Sequence, residues 1–238
     1  MKTSKIYVKL LVPLGLLILA VVSLSLLWGG RGGNASYVEM ACGFDGRSID
    51  CVDSIAAWND GLAFYDSTLS VTGDTLGSLK NLLWNYWNIE FAGAGEAAVS
   101  ENAILPLRVL ELKISGCMGL TWLALMVAEV RQIRLSAILL PGHVFLRYGD
   151  SVNLEPNRKG FSYTDEEYRE KYRDGIWTGY EFKPLTSAQF MGLAAFNMGN
   201  VYFSSDVPHA LTWYRMAEAF FPEYEGIKVN QRAAKERL

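Results

Sequence analysis

Apolar and polar residues follow three rhythms along this 238-residue chain, and each rhythm predicts a different element. Leu10 to Trp28 is an unbroken run with no charge and only two serines. At about 1.5 Å per residue it is long enough to cross a hydrocarbon core of about 30 Å. A weaker helical periodicity covers Ser54 to Leu69, and a stronger one places Leu76, Leu79, Leu82, Leu83, Tyr86 and Trp87 at helical spacing. Leu105-Pro106 opens a short helix through Leu112, Gly116 breaks it, and Met118 to Val130 is a strongly apolar helix. The rhythm then turns extended. Ile138 to Leu140 starts a strand, Pro141-Gly142 makes a turn or bulge, and Val144 to Tyr148 continues it. Gly149-Asp150 is a hairpin turn signal that leads into a partner strand, Val152 to Leu154. Thr164 and Glu167 have capping-box spacing for a polar helix through Arg173, and Trp177 to Pro184 is extended. From Ser187 onward the pattern is one of paired helices.

Charge decides how the first run is read. Lys2, Lys5 and Lys9 precede it, so the positive-inside rule keeps residues 1–9 in the cytoplasm and sends the bulk of the chain across. The run continues into Trp28-Gly-Gly-Arg31 without a small-x-small cleavage site, which favours an uncleaved transmembrane anchor over residues 10–28 to a signal peptide. Gly29 to Ser36 reads as a flexible tether. The exported part carries a formal charge of −6 and no basic stripe, which argues against nucleic acid as a partner. Its location is then membrane-anchored and exported, periplasmic if the cell is Gram-negative. Cys42 and Cys51 bracket a polar, turn-rich octet and are candidates for a disulfide in an oxidising compartment. Cys117 is left unpaired.

That unpaired thiol carries the chemistry. Cys117 stands in Ser-Gly-Cys-Met-Gly, directly before the apolar helix, where a helix N-terminus lowers a thiol pKa. His143 follows in Pro-Gly-His-Val-Phe, at the start of the second strand segment. The hairpin brings the next strand alongside, so that Glu155, or alternatively the amide of Asn153, can orient the imidazole. Cys117 is then the nucleophile, His143 the base and Glu155 the third member. The Cys117 N–H is one oxyanion donor, with Trp84 and Asn85 as candidates for the second. No second His or Cys lies at ligand spacing, so neither a metal nor another cofactor is expected.

The segment Leu76 to Lys183 resembles the transglutaminase-like superfamily of papain-related folds, and within it the SirB-type regulator branch. The resemblance rests on Leu105 to Lys113, Gly116-Cys117, Pro141-Gly142-His143 with Phe145 and Arg147, and Leu154-Glu155-Pro156. It implies an α+β cysteine-protease fold, in which a helix bearing the cysteine packs on a small antiparallel sheet, with a Cys-His-acid triad. The family usually has Asp where Glu155 stands here. Gly199, Tyr202, Ala210, Tyr214, Ala217 and Pro222 fall close to the signature positions of a tetratricopeptide repeat.

The expected organisation is a membrane-proximal segment over 29–75, a transglutaminase-like domain over 76–185 and a helical hairpin over 186–238. Two functions follow from this. One is a membrane-anchored cysteine peptidase, amidase or transglutaminase-type acyltransferase acting on a peptide or protein. The other is a non-catalytic scaffold that holds another envelope protein.

Overall fold

Helix α6 (Cys117–Arg131) lies at the centre of the computed structural model, which describes residues 36–238 as an α+β arrangement with a modest share of sheet. Its residues Met118 to Ala128 are all buried. A helix apolar on every face is stable only when covered all round, and here each side has a partner. Trp122 is fully buried and packs edge-on to Phe44 of helix α1 (Tyr37–Phe44), with ring centroids 5.2 Å apart. It also meets Phe190 of helix α8 (Ser187–Tyr202) at 6.0 Å, and its indole N–H donates to the Tyr37 carbonyl at 3.0 Å. One indole therefore ties the first described helix, the central helix and the C-terminal helices into one core.

The sheet covers another side of α6. Strands β3 (Leu135–Leu140), β4 (His143–Tyr148) and β5 (Val152–Leu154) form an antiparallel meander. Leu140 pairs with His143 across the first turn, and Arg147 pairs with Asn153 across the second. The alternation of the pleat then puts Ile138, Leu140, His143, Phe145, Arg147, Asn153 and Glu155 on one face. Helix α7 (Asp165–Lys171) lies on that face behind the expected capping box at Thr164 and Glu167, and it delivers the fully buried Tyr168 to Ile138, Leu140 and Phe145. A second, two-stranded parallel sheet pairs β1 (Glu90–Phe91) with β2 (Ile114–Ser115) just before Cys117. The hydrophobic rhythm gives no sign of it, because two-residue strands are too short to show a period.

Upstream lie α2 (Ala56–Thr72), α3 (Thr75–Asn81) with a π-turn over Leu82–Tyr86, α4 (Ala94–Val99) and α5 (Pro106–Leu112). Downstream, α8 packs on α9 (Val207–Phe220), and α10 (Glu225–Lys235) completes a three-helix group where a hairpin is expected. Gly199 permits the close approach of α8 and α9, since a Cβ there would lie 2.3 Å from the Tyr214 ring. The group is bonded into the rest of the unit: Tyr202 donates to Glu101 at 2.6 Å, and Trp213 meets Phe44 at 5.2 Å. Residues 177–184, expected to be extended, form no strand; Pro184 makes a single bridge to Ile138.

Two expectations are corrected here. The cytoplasmic tail 1–9, the anchor 10–28 and most of the tether lie outside the described residues, and among the described residues no helix is long and apolar enough to cross a membrane. The central helix α6 has 15 residues, about 22 Å against a core of about 30 Å. The membrane-anchored, exported and periplasmic placement is therefore not carried forward. The fold class is α+β with modest sheet content, not a transglutaminase-like domain set between a transmembrane helix and a separate hairpin.

Candidate reactive-thiol site

Cys117 is the first residue of α6, and the backbone there is set by Gly116 in an extended conformation. A side chain at Gly116 would press on Ala97, and one at Gly119 would strike the Ala103 carbonyl at 2.4 Å. The Gly-Cys-Met-Gly sequence thus lets the start of α6 sit tightly against α4 and the Glu101–Ala103 turn. Cys117 is the free cysteine of the chain and is partly exposed, whereas Cys42 and Cys51 are joined in a disulfide with Cα atoms 5.8 Å apart.

His143 begins β4 and is buried. Its Nε2 lies 2.9 Å from Glu155 Oε2, which leaves Nδ1 as the ring nitrogen available to Cys117. Glu155 is itself buried and held from three sides: Tyr168 donates to Oε2 at 3.0 Å, the Asn157 N–H donates to Oε1 at 3.0 Å, and His143 takes the remaining direction. Tyr172 stacks on the His143 ring with centroids 5.5 Å apart and planes 7° from parallel. The imidazole is thereby fixed in rotation as well as in position.

Electrostatics follow from this geometry. Burial alone raises the Cys117 pKa, but the His143 hydrogen bond and charge, together with the Val144 N–H, more than offset it and hold the thiol below its ordinary value. Burial alone would lower His143, yet Cys117 and Glu155 together push it up to about 9. For Glu155 burial acts upward, and His143, Asn157 and Tyr168 bring the carboxyl below its ordinary value. Each of the three shifts favours the charged form of its group: thiolate, imidazolium and carboxylate. Tyr168 is pushed strongly up by burial and by the adjacent carboxylate, so it remains a donor.

Asn153, the other candidate orienter, is engaged elsewhere. Its Oδ1 accepts from Arg147 Nε at 2.8 Å, and its Nδ2 donates to the Tyr163 carbonyl and to Asp165. Trp84 and Asn85 do not border the Cys117 cavity. They line another hollow, of about 420 Å³, with Asp74, Lys80, Asn81 and Lys159, where Asn85 donates to Asn81 at 2.9 Å. His209, assigned no chemistry, stacks on Tyr202 at 4.0 Å and accepts the Trp213 N–H at 3.0 Å. Among the described residues no group of His, Cys, Asp and Glu is arranged to hold a metal.

Cys117 and His143 open onto a cavity of about 250 Å³. Its far wall comes from α8 and the start of α10, as Leu193, Phe196, Asn197, Asn200 and Tyr224. Sequence reasoning missed this wall entirely, because nothing in a helix's own pattern says which distant cavity it faces. It also missed Tyr168 and Tyr172. The capping box at Thr164 was the available signal for the helix that carries Tyr168.

No family model, no curated protein and no solved structure matches this chain. The transglutaminase-like and SirB-type resemblance therefore has no relative to support the activity it implied. The paired cysteines are a disulfide, and the cavity at the free thiol falls below the roughly 300–1,000 Å³ usual for ligand pockets and is walled by helices. The assignments to a membrane-anchored cysteine peptidase, amidase or transglutaminase-type acyltransferase acting on a peptide or protein, and to an envelope scaffold, are accordingly withdrawn.

Proposed function

We propose that the Cys117 cavity is a reactive-thiol site that forms covalent adducts with small electrophiles. The observation that carries this reading is the buried His143–Glu155 contact of 2.9 Å, which leaves the other imidazole nitrogen available to Cys117 in the cavity that both residues line. A carboxylate on one nitrogen favours the protonated ring, and the protonated ring favours the thiolate. The N-terminus of α6 adds its partial positive charge on the same side. Thiolate is the nucleophilic form, and the cavity that Cys117 lines gives a small ligand access to it. A cavity of about 250 Å³ suits a small ligand.

The test is alkylation by iodoacetamide from about pH 5 to 9, with Cys117 followed by mass spectrometry. The S–C bond forms as iodide leaves, so the rate reports the thiolate directly. A free cysteine with a pKa of about 8.5 is roughly 0.3 % thiolate at pH 6. The site should label at pH 6 at least about tenfold faster than that reference, and His143→Ala should abolish the advantage. A folded protein whose Cys117 labels like a free cysteine, or not at all, would falsify the reading.

A further inference from the structure

We propose that Asn200 binds the oxygen of a small carbonyl ligand whose carbon is attacked by Cys117; this rests on the reactive-thiol reading and names the ligand class for it. Asn200 lines the same cavity as Cys117 and His143. Its Oδ1 accepts two hydrogen bonds, from the Tyr214 hydroxyl at 2.8 Å and from Asn230 Nδ2 at 2.8 Å. Two donors on one oxygen fix which way the amide points. They leave Nδ2 with both protons, and among the described residues it donates to nothing. The neighbouring Asn197 is arranged oppositely: its Nδ2 is used on the Leu193 carbonyl at 2.8 Å, so its free side is an acceptor. The cavity lining therefore includes one oriented amide with an unused donor as well as a nucleophile, amid Leu139, Leu193 and Phe196. A ligand that satisfies both ends carries an acceptor oxygen next to an electrophilic carbon on a short apolar body.

For an aldehyde the step balances without any further reactant. Sγ bonds to the carbonyl carbon, the π electrons move to oxygen, and that oxygen takes the proton from His143 Nδ1, leaving a hemithioacetal and neutral imidazole. Reversal returns every group to its starting state. Asn200 is a positioning residue for the oxygen in this addition, and α9 and α10 take part only by aiming it through Tyr214 and Asn230.

The experiment uses the whole chain with two probes. Carbon-13 acetaldehyde reports adduct formation by NMR, and iodomethane, which has no oxygen, reports thiol reactivity alone. Two variants are compared: Asn200→Ala, and Asn200→Asp, which keeps an oxygen for Tyr214 and Asn230 to donate to and so guards against loss of fold. Both should weaken the acetaldehyde adduct by about 2- to 10-fold, the range for losing one hydrogen bond to a neutral oxygen. Asn200→Ala should leave the iodomethane rate at its plateau pH unchanged. An unchanged aldehyde constant in both variants overturns the role of Asn200 and leaves the thiol reading standing. A parallel loss with both probes would mean that Asn200 supports the cavity structurally, and also overturns it. Wild-type protein that reacts with iodomethane like a free cysteine removes the thiol reading and, with it, this inference.

Discussion

Glu155→Gln removes one charge from the row and, on the other oxygen, the acceptor of the Asn157 N–H. Glutamine keeps an oxygen for His143 and Tyr168, so the side chain stays close to isosteric while the carboxylate that holds the imidazolium is lost. Two unit charges about 3 Å apart at an effective dielectric of about 20 attract by roughly 5 kcal/mol, which is a ceiling because both groups are already desolvated. Opposite charges at this range move a pKa by about 1–3, or about 1.4–4 kcal/mol. The thiolate–imidazolium population falls in the same proportion. The free-thiol floor of about 0.3 % thiolate at pH 6 caps the loss at about 300-fold. The expected result is therefore a drop of about 10- to 300-fold in the rate of iodoacetamide labelling of Cys117 at pH 6, shrinking as pH approaches 9. Near-ultraviolet circular dichroism confirms that the variant is folded.

The comparator is Asn153→Ala. Asn153 is buried and bonded to Arg147, Asp165 and the Tyr163 carbonyl, so its loss should cost about 1–3 kcal/mol of stability. It should leave the labelling profile of Cys117 where it is. A wild-type profile in the Glu155→Gln variant, or a shifted one in the Asn153→Ala variant, would refute the assignment of Glu155 as the group that charges His143.

Three further outcomes follow from the same structure. While His143 holds its proton, anionic iodoacetate should react at Cys117 faster relative to neutral iodoacetamide, and that ratio should fall as pH rises through about 9; a flat ratio to pH 10 would mean that no imidazolium faces the thiol. Because the folded carboxyl of Glu155 is held below its ordinary value, its stabilising contribution is present above that value and is lost as pH falls through the lowered one. The difference in Tm between wild type and Glu155→Gln should therefore narrow between about pH 5 and pH 2, and a constant difference would contradict the linkage. Replacing Cys42 and Cys51 by serine opens a loop with a sequence separation of 9 and should lower unfolding free energy by about 2–3 kcal/mol in urea. Labelling of Cys117 should not change in that variant, and a change would show that the disulfide supports the site.

Much of the fold was legible because α6 and the hairpin announce themselves locally. An all-round apolar helix must be buried, and Gly149-Asp150 between two alternating runs specifies the β4–β5 register that places Arg147 opposite Asn153. The parts that were not legible are those in which the signal is shorter than its period or lies in another segment. Two-residue β1 and β2 show no alternation, and α10 has a stripe whose partner is α9, a relation that exists only after folding.

The site divides along the same line. Pleat parity puts His143, Asn153 and Glu155 on one face, so parity alone could not choose between the two orienters. Position along the ladder does. Arg147 stands directly opposite Asn153 and takes its oxygen, while Glu155 lies further along, nearer the turn from which His143 starts. The choice thus depended on the identity of residue 147, whose role is visible only when it is read as the cross-strand neighbour of 153. The far wall is a stronger case. Asn200 is an ordinary polar position in a helix until Tyr214 and Asn230, on two other helices, take its oxygen and leave its amide N–H groups unused in the lining of the Cys117 cavity. A nucleophile and its base can be named from adjacent elements, but what they act on is decided by side chains that only the tertiary fold brings near.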